Sequence, residues 1–83
     1  MKWWLYVVKC SDDTLYTGVT TDINRRIKEH NTSRRGAKYT RSRRPVNLVY
    51  KRQCINRSHA QQEEYQFKKL SKTEKLHIIQ NHD

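Results

Sequence analysis

Apolar residues make up only 34% of these 83 residues, yet they gather in short phased runs, and the phase of each run predicts an element. Trp3, Trp4, Leu5, Tyr6, Val7 and Val8 form an unbroken run of strand-favouring side chains. Both alternating faces of such a strand are apolar, so it should be covered on both sides. Ser11, Asp12, Asp13 and Thr14 supply turn chemistry, and Leu15 to Thr20 reads as the returning strand of a hairpin. A loop with an odd number of residues places Tyr6 and Tyr16 on one face, and this register is the one expected.

Thr21 or Asp22 can cap a helix reaching about Asn31, because a side-chain oxygen there satisfies free N–H groups of the first turn. At about 100° per residue, Ile23, Arg26, Ile27 and His30 share an arc of about 100°, while Arg25 points to the opposite side. Of the two adjacent arginines, Arg26 should face the fold. The stretch TSRRGAKYTRSRR from Thr32 to Arg44 is too polar to pack and is expected to be a loop. After Pro45, the residues Val46, Leu48, Tyr50 and Cys54 alternate with Asn47, Val49, Lys51 and Gln53 as in a third strand, and Arg52 breaks the pattern on the apolar side. Ser58 with Gln61 fits a capping box that opens a helix carrying Ala60, Phe67 and Leu70 inward. Ser71 with Glu74 repeats the signature before Leu76, Ile78 and Ile79, which predicts a short third helix and a frayed tail. The expected fold is α+β, a single domain over residues 1–83: a small three-stranded antiparallel sheet flanked by helices in the order β-β-α-β-α-α.

Charge changes the picture more than composition does. The formal net charge is +10, and twelve of the eighteen Lys and Arg residues lie between Arg25 and Arg57, where Glu29 is the only acid. Such concentration is the electrostatic footprint of a polyanion binder. Cys10 and Cys54 sit in apolar contexts without metal-ligand spacing, so buried reduced thiols are expected. The run from Trp3 to Val8 is too short for a signal peptide, and no run approaches the roughly 20 residues of a membrane span. The chain therefore reads as cytoplasmic, with a thin core and no room for a large buried substrate cavity.

Cleaving a phosphodiester requires a reactive nucleophile, positive charge where the pentavalent phosphorus accumulates negative charge, and assistance to the leaving oxygen. A tyrosine can polarise water, an arginine can clamp phosphoryl oxygens, and a carboxylate can hold a hard cation. Tyr6 in Trp4-Leu5-Tyr6, then Tyr16-Thr17-Gly18 ten residues later, then Arg26 and His30 in NRRIKEH together resemble the GIY-YIG nuclease family. The likeness is to its small single-domain bacterial members and to the N-terminal nuclease module of the excision repair incision protein. Trp4 stands where the family's first motif has glycine, and the likeness continues through GAKYTRSRRPVNLVY to Ala60 and Glu64.

The resemblance implies a metal-dependent endonuclease of nucleic acid, DNA ahead of RNA, with a place in repair or recombination. It puts the catalytic tyrosines at Tyr6 and Tyr16, the catalytic arginine at Arg26, the helix histidine at His30, and the ligand for Mg²⁺ or Mn²⁺ at Glu64. By helical angle alone Glu63 and Glu64 both border the apolar side, and that choice stays open. Arg34, Arg35, Lys38, Tyr39, Arg41, Arg43 and Arg44 are the candidate nucleic-acid contacts, which such loops make largely to the backbone. No membrane partner is expected; a protein partner for targeting is, and the chain itself reads as a monomer or weak homodimer. The rival reading is a non-catalytic nucleic-acid-binding module acting on RNA or with a partner protein.

Overall fold

The computed structural model describes residues 2–81, and the sheet at its centre has the order β2-β1-β3, antiparallel throughout. Strand β1 (Trp3–Lys9) is the middle strand, flanked by β2 (Leu15–Thr20) and β3 (Asn47–Cys54). This central place explains its two apolar faces. The hairpin loop holds the five residues between Lys9 and Leu15. It is tied by Cys10 N–H to Thr14 C=O at 2.8 Å and by Thr14 N–H to Asp12 at 3.2 Å. Asp13 takes the left-handed conformation (φ 66°) that a short polar side chain tolerates. The odd loop sets Tyr6 opposite Gly18 and Val8 opposite Tyr16, so both tyrosines share a face as the spacing predicts.

One face carries Leu5, Val7, Tyr50 and Cys54 and is covered by Ala60 and Phe67 of α3 (Arg57–Lys68). Leu70 and α4 (Lys72–Asn81), through Ile78 and Ile79, complete that cover. The other face carries Tyr6 and Val8, packs with Cys10 and Val46, and is covered by Ile27 of α1 (Ile23–Thr32). Cys10 and Cys54 are free and buried. No helix among the described residues is long and apolar enough to cross a membrane.

The expected alternation along β3 does not hold. The register shifts between Val7, which faces Tyr50, and Val8, which faces Leu48, so Val49 is bulged out. A bulge reverses the facing of everything beyond it. Leu48 therefore shares the face of Val8, while Tyr50, Arg52 and Cys54 share that of Val7. Arg52 is, as expected, the charged residue on the apolar side, and its Nη2 reaches Glu63 at 3.6 Å.

The caps divide the same way. Asp22 caps α1, accepting from Arg25 N–H at 3.0 Å. Ser71 and Glu74 form the expected reciprocal box at 3.1 and 2.9 Å, and α4 runs to Asn81. The rest of the expected tail lies outside the described residues. The cap of α3 is Asn56, whose oxygen takes His59 N–H at 2.8 Å, and Ser58 sits inside the first turn. Asn competes with Ser at this position, and the one nearer the end of β3 is used.

The stretch from Thr32 to Arg44 is more than a loop. It contains a one-turn helix, α2 (Lys38–Arg41), and buries Gly36 and Thr40. Polar side chains pack here because each finds a partner. Asn31 holds both backbone groups of Val46, at 2.7 and 3.1 Å, and Arg44 donates to the last carbonyls of α1, those of His30 and Ser33. Gly36 lies so close to α1 that a Cβ would be 2.6 Å from the Glu29 carbonyl oxygen.

A Cβ on Gly18 would lie 2.5 Å from the Tyr6 hydroxyl oxygen and 2.7 Å from its Cζ. Because Tyr6 is itself held, Gly18→Ala should destabilise the fold by about 1–3 kcal/mol, as overpacking does. Urea unfolding measures this, and an unchanged midpoint would contradict the placement of the tyrosine over the glycine.

Candidate active site

The tyrosine, arginine and histidine side chains singled out in the sequence are brought to one place by α1 and the β1–β2 hairpin. The Tyr6 hydroxyl is 2.7 Å from Nε2 of His30, and both side chains are buried. Nδ1 of His30 is 3.0 Å from Thr40 Oγ1, and the Ala37 amide lies 3.3 Å from the same nitrogen. Tyr16 meets the His30 ring edge-on, with centroids 5.3 Å apart. The imidazole is thus the hub between β1, β2, α1 and α2.

Arg26 lies one turn before His30 on the inward arc of α1. Its Nη1 donates to Glu29 Oε1 at 3.1 Å and to the Arg35 carbonyl at 2.7 Å, and its charge acts on the Tyr6 phenol. Burial works against its charge, but the interactions with Tyr6 and Glu29 outweigh this and raise its pKa. Burial pushes the Tyr6 phenol up to about 12 against the pull of Arg26, and the Tyr16 and Glu64 charges add to the rise. His30 moves the other way, from its ordinary 6.5 to about 4, because burial and then the Arg26 charge disfavour imidazolium. At neutral pH the site therefore holds a phenol, a neutral imidazole and a fixed guanidinium.

Glu63 and Glu64, which helical angle leaves equivalent, have different surroundings. Glu63 is held by His59 at 3.2 Å and Arg52 at 3.6 Å, and it lines a cleft of about 340 Å³ with Leu5, Tyr50 and Phe67 on the α3 face. Glu64 pairs with Lys68 Nζ at 3.4 Å and is near enough to Tyr6 for its charge to act on the phenol. Helix α3, which carries both glutamates, packs across all three strands.

The basic segment divides into inward and outward members. Arg34, Arg35, Lys38 and Arg41 are exposed. Arg43 is turned back, with Nε 3.0 Å from Asp12 Oδ2 and its guanidinium 4.0 Å from the centre of the Tyr39 ring. Tyr39, 40% exposed, also stacks on Tyr16 with centroids 5.9 Å apart, so its ring already has partners. Arg44 spends its donors on α1 carbonyls. Thr40, Ala37 and Gly36 are the site residues that the sequence reading missed. The small pair Gly36-Ala37 in a run of long basic side chains is the one sign there of a close backbone approach.

A family model described as the GIY-YIG catalytic domain matches residues 2–77. The chain belongs to the GIY-YIG family. It is 57% identical over 77 residues to the UPF0213 protein DP2720 of Desulfotalea psychrophila, covering 93% of this chain and 70% of that protein. To a UPF0213 protein of Syntrophus aciditrophicus it is 49% identical over 78 residues, covering 94% and 90%. Two solution NMR structures are similar. The UPF0213 protein BH0048 of Bacillus halodurans aligns with a TM-score of 0.61 at 41% identity, over 96% of this chain and 84% of that one. The E. faecalis protein EF2693 aligns with a TM-score of 0.64 at 37% identity, over 100% and 92%. Membership in GIY-YIG places the domain in a nuclease superfamily, implies nucleic acid as the substrate class, and associates it with divalent metal.

The His30 shift makes the stability of this GIY-YIG domain depend on pH. Between about 4 and 6.5 the unfolded chain binds a proton at His30 that the folded chain does not. Stability from this residue is therefore present above 6.5 and lost as pH falls towards about 4. Urea unfolding of the parent and of His30→Gln across this range should show the steeper loss in the parent. Parallel curves would contradict a buried neutral imidazole.

Proposed function

We propose that this GIY-YIG domain is a divalent-metal-dependent endonuclease that hydrolyses phosphodiester bonds of DNA, working as one domain over residues 1–83 and serving repair or recombination. The observation that carries this reading is the gathering of Tyr6, Tyr16, Arg26 and His30 at one end of the sheet, with Glu64 in electrostatic reach, on a chain of net charge +10.

The half-buried Tyr16 is the phenol placed to activate the attacking water. Tyr6, almost fully buried, stays protonated and is held by its hydrogen bond with neutral His30. Arg26 is preorganised by Glu29 and the Arg35 carbonyl, so it can meet the phosphoryl oxygens without rearranging as charge develops. Arg34, Arg35, Lys38 and Arg41 supply backbone contacts on the outer side of the segment that covers His30. Arg43 and Arg44 hold that segment in place.

The residues present suit a hard cation. Among the described residues no three His, Cys, Asp or Glu cluster as a metal cage. A single carboxylate fits Mg²⁺, which keeps waters and takes phosphate oxygens as further ligands. Glu64 would hold it, and its ion pair with the half-exposed Lys68 is of the weak surface kind. When bound, the cation supplies positive charge to the phosphate and its leaving oxygen.

Arg26→Ala should lower cleavage by about 100- to 1,000-fold, the scale of a lost transition-state donor. Glu64→Ala should abolish Mg²⁺-supported cleavage, and EDTA should stop the parent. The assay uses branched, damaged, single-stranded and duplex DNA together with RNA. Cleavage by both variants at the parent's rate would sink the assignment, and salt-sensitive binding without any product would favour a non-catalytic binding module.

A further inference from the structure

One aromatic side chain of the central strand is used by neither core. Leu5 and Val7 lie in the cluster under α3, with Trp3 packed against it, and Tyr6 and Val8 lie in the cluster under α1. Among the described residues Trp4, which points to the same side as Tyr6, belongs to neither cluster. Ile23 in the first turn of α1 and Leu48 of β3 are also outside both, and Leu48 is 39% exposed. These three side chains line one pocket of about 280 Å³ between the start of α1 and β3. A single stray apolar residue needs no explanation, but three around one pocket mark a binding surface.

The remaining lining says what fits. Lys51 faces Tyr6 across the strands and so shares its side of the sheet. Its Nζ is 5.6 Å from the centre of the Trp4 ring, whereas Arg43 and Lys69 approach their tyrosine rings to 4.0 and 4.2 Å. The ring face turned to the pocket is thus only loosely covered, by an exposed side chain that can swing aside. Among the described residues the Asn24 side chain has no hydrogen bond and Lys51 has no ion pair. Asp22 also borders the pocket, with one carboxylate oxygen accepting from Arg25 N–H. That carboxylate disfavours a phosphate inside. An aromatic face, an apolar wall and an amide suit a flat, neutral ring with hydrogen-bonding edges.

We propose that this pocket takes one unpaired nucleobase of the bound strand, stacked on Trp4, with its edge on Asn24 and the adjoining phosphate on Lys51. A nucleic-acid occupant follows from the net charge of +10 and from the substrate class that the family implies. Trp4 precedes Tyr6 by two residues, about 7 Å along the strand, and Asn24 precedes Arg26 by two on α1. The base therefore belongs to a nucleotide near the phosphate that Arg26 meets. In a duplex the faces of a base are covered by its neighbours and its pairing edge by its partner, so only an unpaired or extruded base can enter. The glycine of the family's first motif, where Trp4 stands here, offers no such platform. The place of the base beside the cut rests on the nuclease reading above; its stacking on Trp4 does not.

Fluorescence anisotropy with EDTA present measures binding without cleavage. Trp4→Ala should weaken binding of a labelled single-stranded DNA by about 10- to 100-fold, the scale of one lost base stack, without changing the salt slope. It should bind a blunt duplex of the same length as the parent does. Unchanged single-strand binding, or an equal loss on the duplex, overturns the proposal. If Trp4→Ala does not fold, the indole N–H signals of the ¹⁵N-labelled parent, assigned with Trp3→Phe, decide it. The Trp4 signal should shift on adding the single strand and that of Trp3, packed against the α3 core, should not; an unmoved Trp4 signal overturns the proposal. A strand held at Trp4 but never cut with Mg²⁺ or Mn²⁺ sinks the nuclease reading alone, and cutting with an unmoved Trp4 signal sinks the base subsite alone.

Discussion

The structure depends on one buried imidazole that must be kept neutral and satisfied. His30 has no solvent exposure, and an unpaired ring nitrogen in that position would cost on the order of 1–3 kcal/mol. One nitrogen is met by the Tyr6 hydroxyl and the other by Thr40 and the Ala37 amide. Satisfying it draws the middle strand, the first helix and the polar segment after that helix to the same point. The segment, rich in arginine and poor in apolar residues, has little hydrophobic reason to pack. It is held by directional bonds instead: Arg44 on the helix carbonyls, Asn31 on Val46, and Arg43 on Asp12.

The second constraint is geometric. The apolar core lies mainly on the α3 face of the sheet, whereas the tyrosines, Arg26 and His30 lie on the α1 face. The bulge at Val49 lets a single strand serve both, sending Tyr50 and Cys54 to the core and Leu48 to the other side. Stability and chemistry are thereby separated across a layer one strand thick. Glu64 belongs to the core helix and yet acts electrostatically on Tyr6, so the site is closed by an element whose packing is decided elsewhere.

Much of the fold was legible because it rests on phase. The two-faced apolar run marked β1 as covered on both sides, the odd loop put Tyr6 with Tyr16, and the inward arc of α1 chose Arg26 over Arg25. What could not be read has physical reasons. A one-residue bulge leaves no compositional mark, so Leu48, before the bulge, was phased with Tyr50 and Cys54 although it faces the other way. Polarity suggested that the stretch from Thr32 to Arg44 would stay unpacked, because sequence shows donors without showing the carbonyls they will meet. Thr40 was hidden for the same reason. Helical angle could not separate Glu63 from Glu64, since both flank the buried stripe; their partners separate them, Arg52 and His59 on one and Lys68 on the other.

The central claim is that one site spans both faces of the sheet, with the cation held from α3 and the phosphate from α1. Titrating Mn²⁺ into the ¹⁵N-labelled protein tests it, since paramagnetic broadening reports distance from the ion. The account predicts broadening centred on Glu64 that extends through the sheet to Tyr6, Tyr16 and Arg26. Broadening centred on Glu63 and His59, or on the acidic hairpin loop at Asp12 and Asp13, would contradict it.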